Sequence, residues 1–243
     1  MIKNIPKISL TLLFVFIVGA FTFSKPLTDD EKFVDYKIDL KKQNLKLYWK
    51  DDNNHPFKSF QNLKDWLDLK GQKLVFAMNG GMYKTDNSPL GLFIEASKIV
   101  TPLNKSSGNG NFYLKPNGVF YITVDNQANI STTENFKTNF KIKYATQSGP
   151  MLVINGQIHS AFKDGSTNLN IRNGVGLLPN GQVLFAMSKT EINFYDFAAY
   201  FKKAGCKNAL YLDGFVSRTY LPGKNWTQTD GNFGVIIGET SAK

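Results

Sequence analysis

The chain has 243 residues, 42% hydrophobic and 20% charged, a balance that excludes a disordered chain and suits one domain of generous size. Its formal charge is +10, but the lysines are spread out and no basic-aromatic repeat accompanies them, so nucleic acid is not the expected partner; anionic polymers or phosphorylated glycans are, with plain solubility as the alternative. Cys206 is the only cysteine, which excludes an intrachain disulfide and reads as a buried structural thiol.

In chain order, Lys3 and Lys7 precede an apolar stretch from Ile8 to Phe23, with no acidic residue before Asp29. A basic start and a run this short for a membrane span have the form of an export signal. Residues 1–23 are expected to be a signal peptide, or an uncleaved N-terminal anchor, ahead of one domain over 24–243. The protein is then exported, periplasmic or extracellular.

Phe33 to Leu40 and Leu45 to Trp49 alternate and predict a pair of strands around the polar Lys41 to Asn44. Ser59 caps a helix through about Leu69, with Phe60, Leu63, Trp66 and Leu67 on one face and Gly71 as its stop. Lys73 to Met78 is a buried strand running into Asn79-Gly80-Gly81. Further strands are expected at Leu90 to Ala96, Asn111 to Lys115 and Val119 to Val124, with Asn117-Gly118 joining the last two as a tight turn. Asn155-Gly156 and Asn180-Gly181 repeat that turn between apolar runs. Asn193 to Ala204 is a second helix, with Phe194, Phe197, Ala198 and Phe201 as its inner stripe. Ala209 to Leu212, Phe215 to Leu221 and Phe233 to Ile237 complete an α+β fold: a single domain with a large mixed, mainly antiparallel sheet and a few packed helices.

Four motifs set polar residues beside glycines: Asn79-Gly80-Gly81-Met82-Tyr83, Gln147-Ser148-Gly149-Pro150, Arg172-Asn173-Gly174-Val175-Gly176 and Leu212-Asp213-Gly214-Phe215-Val216-Ser217. Glycine at a strand end lets another backbone or a ligand come close, so the four together predict one polar site. Asp213, at the end of a buried strand, suits acid/base or nucleophilic work; an Asx turn is the alternative. Arg172 suits bidentate capture of phosphate or carboxylate, or an internal salt bridge. The amide of Asn79 and the N–H groups at Gly80-Gly81 can cradle an anion or sugar hydroxyls, and Ser148-Gly149 can donate in the same way. Ser148 lacks the surroundings of a hydrolase nucleophile. Glu95 and Glu191 are the candidates for a second carboxylate, which glycosidases place about 5–10 Å from the first. His55 and His159 have no ligand spacing, so no metal or cofactor is expected, although an oxygen-ligated Ca²⁺ or Mg²⁺ at Asp213 or Asn79 stays open.

From about Lys73 to Ile237 these motifs resemble the phosphodiester glycosidase family, that of the mannose 6-phosphate uncovering enzyme, and in particular its small exported bacterial branch. The marks are Asn79-Gly80-Gly81-Met82-Tyr83, Ser148-Gly149-Pro150-Met151-Leu152, Arg172 ahead of Gly174-Val175-Gly176, and Leu212-Asp213-Gly214. One departure stands out: Phe215 and Val216 intervene before Ser217, where the uncovering-enzyme branch has further glycines and a Ser. The resemblance implies hydrolysis of a sugar-1-phosphodiester at the C1–O bond in envelope or extracellular glycans. In that scheme Arg172 holds the phosphate with Gly80, Gly81, Ser148 and Gly149, Asp213 acts at the anomeric carbon, and Asn79, Asn173 and Ser217 complete the substrate site. The alternatives are a non-catalytic protein that binds phosphorylated or anionic polysaccharide, and a phosphodiesterase that cleaves P–O.

Overall fold

The computed structural model describes residues 28–139, 141–213 and 216–243. The expected signal or anchor therefore lies outside the described residues, as do Gly214 and Phe215. No helix among the described residues is long and apolar enough to cross a membrane.

The chain opens with the one-turn helix α1 (Asp29–Lys32), then β1 (Phe33–Ile38), β2 (Asn44–Tyr48), α2 (Phe60–Leu69) and β3 (Gln72–Asn79). A second run comprises β4 (Phe93–Glu95), β5 (Lys98–Thr101), β6 (Gly118–Thr123), β7 (Ala128–Thr132), β8 (Ile142–Ser148), β9 (Met151–Ile154) and β10 (Gln157–Ile158). It ends with β11 (Asn173–Leu177), β12 (Val183–Ser188), α3 (Phe194–Lys203), β13 (Ala209–Asp213), β14 (Thr219–Leu221), β15 (Trp226–Thr227) and β16 (Ile236–Ala242).

The strands form three sheets, ordered β1-β12-β11-β13-β9-β10, β15-β14-β3-β16-β2 and β5-β4-β8-β6-β7. Every pairing among the described strands is antiparallel. The α+β class holds, with the expected single sheet divided in three.

Each sheet turns one face to a shared core, where Phe76 and Ile237 of the second sheet meet Phe93 and Phe120 of the third and Phe185 and Leu212 of the first. The opposite faces are covered separately. Phe197 and Phe201 of α3 pack on Leu152, Ala186 and Tyr211, while Phe60, Leu63 and Leu67 of α2 pack on Leu74, Ala77 and Ile236. Both helices start where their sequence directs: Ser59 Oγ accepts from the Asn62 N–H, and Asn193 Oδ1 accepts from the Asp196 N–H. Phe197 and Phe201 are fully buried, and each contributes roughly 2–3 kcal/mol by leaving water.

Strand β13 shows why both faces of a central strand read as apolar. Ala209 and Tyr211 face α3, Leu210 and Leu212 face the shared core, and all four are inaccessible. Gly176 opposite them has no room for a side chain: a Cβ there would lie 2.6 Å from Cys206 Sγ and 2.7 Å from Phe201 Cδ1. Cys206 is the buried thiol expected, and burial pushes its pKa up to about 12.

Several expected elements differ. β1 and β2 do not pair; β1 joins β12 and β2 joins β16, because the turn after Asp39 carries the chain from one sheet to another around the shared core. Asn111 to Lys115 is a 3₁₀ turn at Asn111–Tyr113, with Tyr113 N–H donating to Gly110 O and Leu114 N–H to Asn111 O. Asn117-Gly118 consequently closes no hairpin; Asn117 Nδ2 donates to Phe112 O, and Gly118 starts β6. The Asn155-Gly156 and Asn180-Gly181 hairpins form as expected, joining β9 to β10 and β11 to β12.

Candidate active site

The ends of β3, β8, β11 and β13 meet where the three sheets abut. Asn173, at the start of β11, is opposite Asp213, at the end of β13. Asn173 Oδ1 accepts from the Asp213 N–H at 2.9 Å, and its Nδ2 donates to Asn79 Oδ1 at 2.8 Å and Asn79 O at 3.0 Å. Asn79 Nδ2 in turn donates to Asp213 Oδ2 at 2.9 Å, while Asn79 Oδ1 also accepts from the Arg218 N–H at 2.9 Å. Two buried amides thus fix both the backbone and the carboxylate of Asp213. A carboxylate held by a directed N–H is a charge-assisted contact, stronger than a neutral one and fixed in orientation.

The glycines and Ser148 build the frame around that triad. Gly80 N–H donates to Val235 O and Gly80 O accepts from Thr146 Oγ1, tying the second sheet to the third. A Cβ at Gly80 would sit 2.4 Å from Ile237 Cγ1, and one at Gly81 2.6 Å from Thr146 Oγ1. Ser148 Oγ donates to Leu212 O at 2.8 Å, locking β8 to β13 one residue before Asp213. Gly149 packs its bare Cα against Asn117 and Phe112 O. Ser217 Oγ lies within donating distance of both Asp213 O and Ile171 O and clips the chain after the carboxylate.

Asp213 is 5% exposed and lines a cavity of about 410 Å³. One wall carries Met82, Tyr83, Lys84, Thr85 and Leu90; the other carries the segment from Asn109 to Tyr113. Burial, reinforced by the Asp213 carboxylate, raises the Tyr83 phenol above its ordinary pKa, so it keeps its proton at neutral pH and remains a donor. Tyr83, Phe112 and Tyr113 line the cavity together with Thr85, Asn109 and Asn111, a mix of aromatic and polar groups that suits a sugar ring.

The sequence-derived assignments are therefore redistributed. Asp213 lies at the end of a buried strand, as expected. Asn79 and Asn173 are fully buried and hold Asp213, so they do not offer their amides to substrate hydroxyls. The Asn79 oxygen already accepts from two residues, which leaves it poorly suited to a cation. Gly80, Ser148 and Ser217 spend the donors expected for substrate on carbonyls of the fold.

Arg172 is the largest correction. Its guanidinium donates from Nε to Ile192 O, from Nη1 to the Tyr211 hydroxyl and from Nη2 to Asn168 O and Oδ1. It stacks 3.7 Å from the Phe194 ring centre and is 1% exposed. Burial lowers its pKa, yet a guanidinium stays charged, and here it pins the 168–172 segment to α3 and β13 rather than lining the cavity.

Neither candidate second carboxylate reaches Asp213's cavity. Glu191 lines a separate recess with Asp29, Lys32 and Asp196, and Glu95 sits at the end of β4, where burial raises its pKa. Among the described lining residues Asp213 is the one carboxylate. Tyr83, Lys84, Asn109 and Tyr113 were not singled out from the sequence. Tyr83 closes the first glycine motif and Lys84 follows it, whereas nothing in the Gly108–Asn111 run distinguishes a cavity wall from an ordinary loop. Val216 packs beside α2, so half of the apolar departure after Leu-Asp-Gly faces the core. No group of three or more His, Cys, Asp or Glu side chains among the described residues converges on a possible metal position.

A family model described as phosphodiester glycosidase matches residues 72–235. The chain is 38% identical over 218 residues to the uncharacterized protein YigE of Escherichia coli K12, covering 89% of this chain and 84% of that protein. Several solved structures share the fold. The zebrafish N-acetylglucosamine-1-phosphodiester alpha-N-acetylglucosaminidase catalytic domain, auto-inhibited by its pro-peptide, superposes with a TM-score of 0.55 at 14% identity, over 85% of this chain and 87% of that one. A putative exported protein from Burkholderia pseudomallei gives 0.57 at 10% identity, over 85% and 73%.

Proposed function

This chain belongs to the phosphodiester glycosidase family, and we propose that it is an exported hydrolase that cleaves a sugar-1-phosphodiester at the glycosidic C1–O bond. Water adds to C1, and the products are the free sugar and a phosphomonoester. The observation that carries this reading is the Asp213 carboxylate, held by Asn79 at the base of a cavity walled by Tyr83, Phe112 and Tyr113.

As the C1–O bond breaks, positive charge develops on the sugar ring and negative charge on the departing phosphate. A fixed carboxylate beside C1 stabilises the first, either by bonding to C1 or by drawing a proton from the attacking water. A phosphomonoester leaves well without strong protonation, so a cavity whose described lining has one carboxylate is compatible with the chemistry. The protonated Tyr83 phenol is available as a hydrogen-bond donor near the reacting atoms. The apolar N-terminal stretch and the likeness to a putative exported protein of Burkholderia pseudomallei support export.

The test is to assay the purified domain on a panel of sugar-1-phosphodiesters beside Asp213→Asn. Sugar release by the wild type and its loss in the variant are expected. Saturable glycan binding without release from any substrate would replace the hydrolase by a binding protein.

A further inference from the structure

The loss of Arg172 as a phosphate ligand leaves a question of charge. A phosphodiester carries one negative charge, and the cavity that would receive it already holds the Asp213 carboxylate. Two like charges in one cavity repel, and a cation beside the incoming group offsets that repulsion. Arg172 is buried against Phe194, and Arg218 is committed to Asp230, its Nε lying 3.1 Å from both carboxylate oxygens. Lys84 is the one cation among the described lining residues.

The backbone that carries Lys84 is fixed. Lys84 N–H donates to Ser88 O at 2.8 Å, Asn87 N–H returns to Lys84 O at 2.9 Å and Leu90 N–H donates to Met82 O at 3.0 Å. Asn87 anchors the tip through Nδ2 to Asn232 Oδ1 and Phe233 O, and Trp49 Nε1 donates to Asn87 O. The nearest acid in sequence, Asp86, turns its carboxylate to Ser88 N–H at 2.9 Å and Ser88 Oγ at 2.6 Å. Salt bridges are formed elsewhere on the surface, but none of those between described residues includes Lys84. A rigid turn thus sets Lys84 in the cavity lining; the hydrogen bonds from Ser88 and, more weakly, the nearby Lys84 lower the Asp86 carboxyl pKa, but no salt bridge between described residues ties Lys84 down.

We propose that Lys84 binds the phosphate of the scissile diester and selects anionic phosphodiesters over neutral glycosides. This rests on the reading of the site given above and adds the residue that recognises the leaving group. Asp213 then acts on the sugar side of the C1–O bond, and Lys84 neutralises the charge that the phosphate gains as the bond breaks.

The experiment measures binding and turnover separately, with the methyl diesters of α-glucose 1-phosphate and α-N-acetylglucosamine 1-phosphate as probes and the matching methyl glycosides as neutral controls. Calorimetry or chemical-shift titration compares wild type with Lys84→Met and Lys84→Arg; the side chain is exposed, so neither change disturbs the core. Lys84→Met is expected to weaken diester binding about ten- to a hundredfold, Lys84→Arg to recover most of it, and the neutral glycosides to be unaffected. Unchanged diester affinity in Lys84→Met, or no saturable diester binding by the wild type, overturns the assignment. Lys84-dependent binding without turnover would instead count against the hydrolase reading and leave Lys84 as an anion ligand.

Discussion

Replacing Asn79 by Asp changes the hydrogen-bonded trio of Asn79, Asn173 and Asp213 by one atom and tests whether Asn79 holds the Asp213 carboxylate. In the wild type an amide N–H points at Asp213 Oδ2 from 2.9 Å. In Asn79→Asp an oxygen takes that place, while the other oxygen still accepts from Asn173 and Arg218. Two unit charges at that separation repel by about 6 kcal/mol at an effective dielectric constant of ~20. Taking up one proton relieves the repulsion. For a carboxyl with an ordinary pKa of about 3.9, that proton costs about 4 kcal/mol at pH 7, so the pair shares one. The expected destabilisation is therefore about 4 kcal/mol at pH 7, or roughly 8–16 °C in Tm for a domain of this size. The folded variant then binds one proton more than the unfolded chain between about pH 4 and pH 7. Its stability must fall by about 1.4 kcal/mol per pH unit as pH rises through that window, relative to wild type. Chemical denaturation of both proteins at pH 4.5 and pH 7 measures this directly. An equal loss at the two pH values would refute the contact between Asn79 and Asp213.

Three further outcomes follow from buried groups. Arg172→Met should cost about 3–5 kcal/mol in urea unfolding, because Ile192 O, Asn168 O and the Tyr211 hydroxyl lose their donor in the core, and Arg172→Lys should recover little of it; unchanged stability with lost phosphate affinity would return Arg172 to the substrate. The His159 ring donates from Nε2 to Lys115 O while Nδ1 accepts from the Ala161 N–H, and burial lowers its pKa, so the folded state resists the proton that the unfolded state takes up below about pH 6.5. Stability should fall with acid below that pH by up to about 1.4 kcal/mol per unit, and His159→Gln should flatten that part of the profile. Cys206, with its thiol pushed up to about 12, should resist an aromatic disulfide reagent at pH 8 until the protein unfolds; rapid labelling of the native state would contradict its burial.

What the sequence made legible was whatever depends on neighbours along the chain. The two helices and their caps Ser59 and Asn193 follow from local chemistry, as do the Asn155-Gly156 and Asn180-Gly181 hairpins. β3 and β13 read as buried strands ending in polar residues, which puts Asn79 and Asp213 at strand ends, where the structure has them. Partners brought from afar were not legible. Arg172 reads identically whether its fork meets a phosphate or, as here, the carbonyl of Ile192 and the hydroxyl of Tyr211, 20 and 39 positions away. Asn79 and Asn173 each read as a hydrogen-bonding group beside a glycine, yet their bonds to each other span 94 positions. The far wall of the cavity failed for a different reason. Asn111 to Lys115 has strand composition, but Gly110 at φ 93° turns the chain and Asn117 captures Phe112 O, leaving a 3₁₀ turn in place of a ladder.

The position of bond cleavage tests the central claim most directly. A sugar-1-phosphodiester turned over in ¹⁸O-labelled water should yield sugar with the label on C1 and unlabelled phosphomonoester, and Asp213→Asn should abolish the labelled product. Label on the phosphate would mean P–O cleavage and would contradict the role given to Asp213.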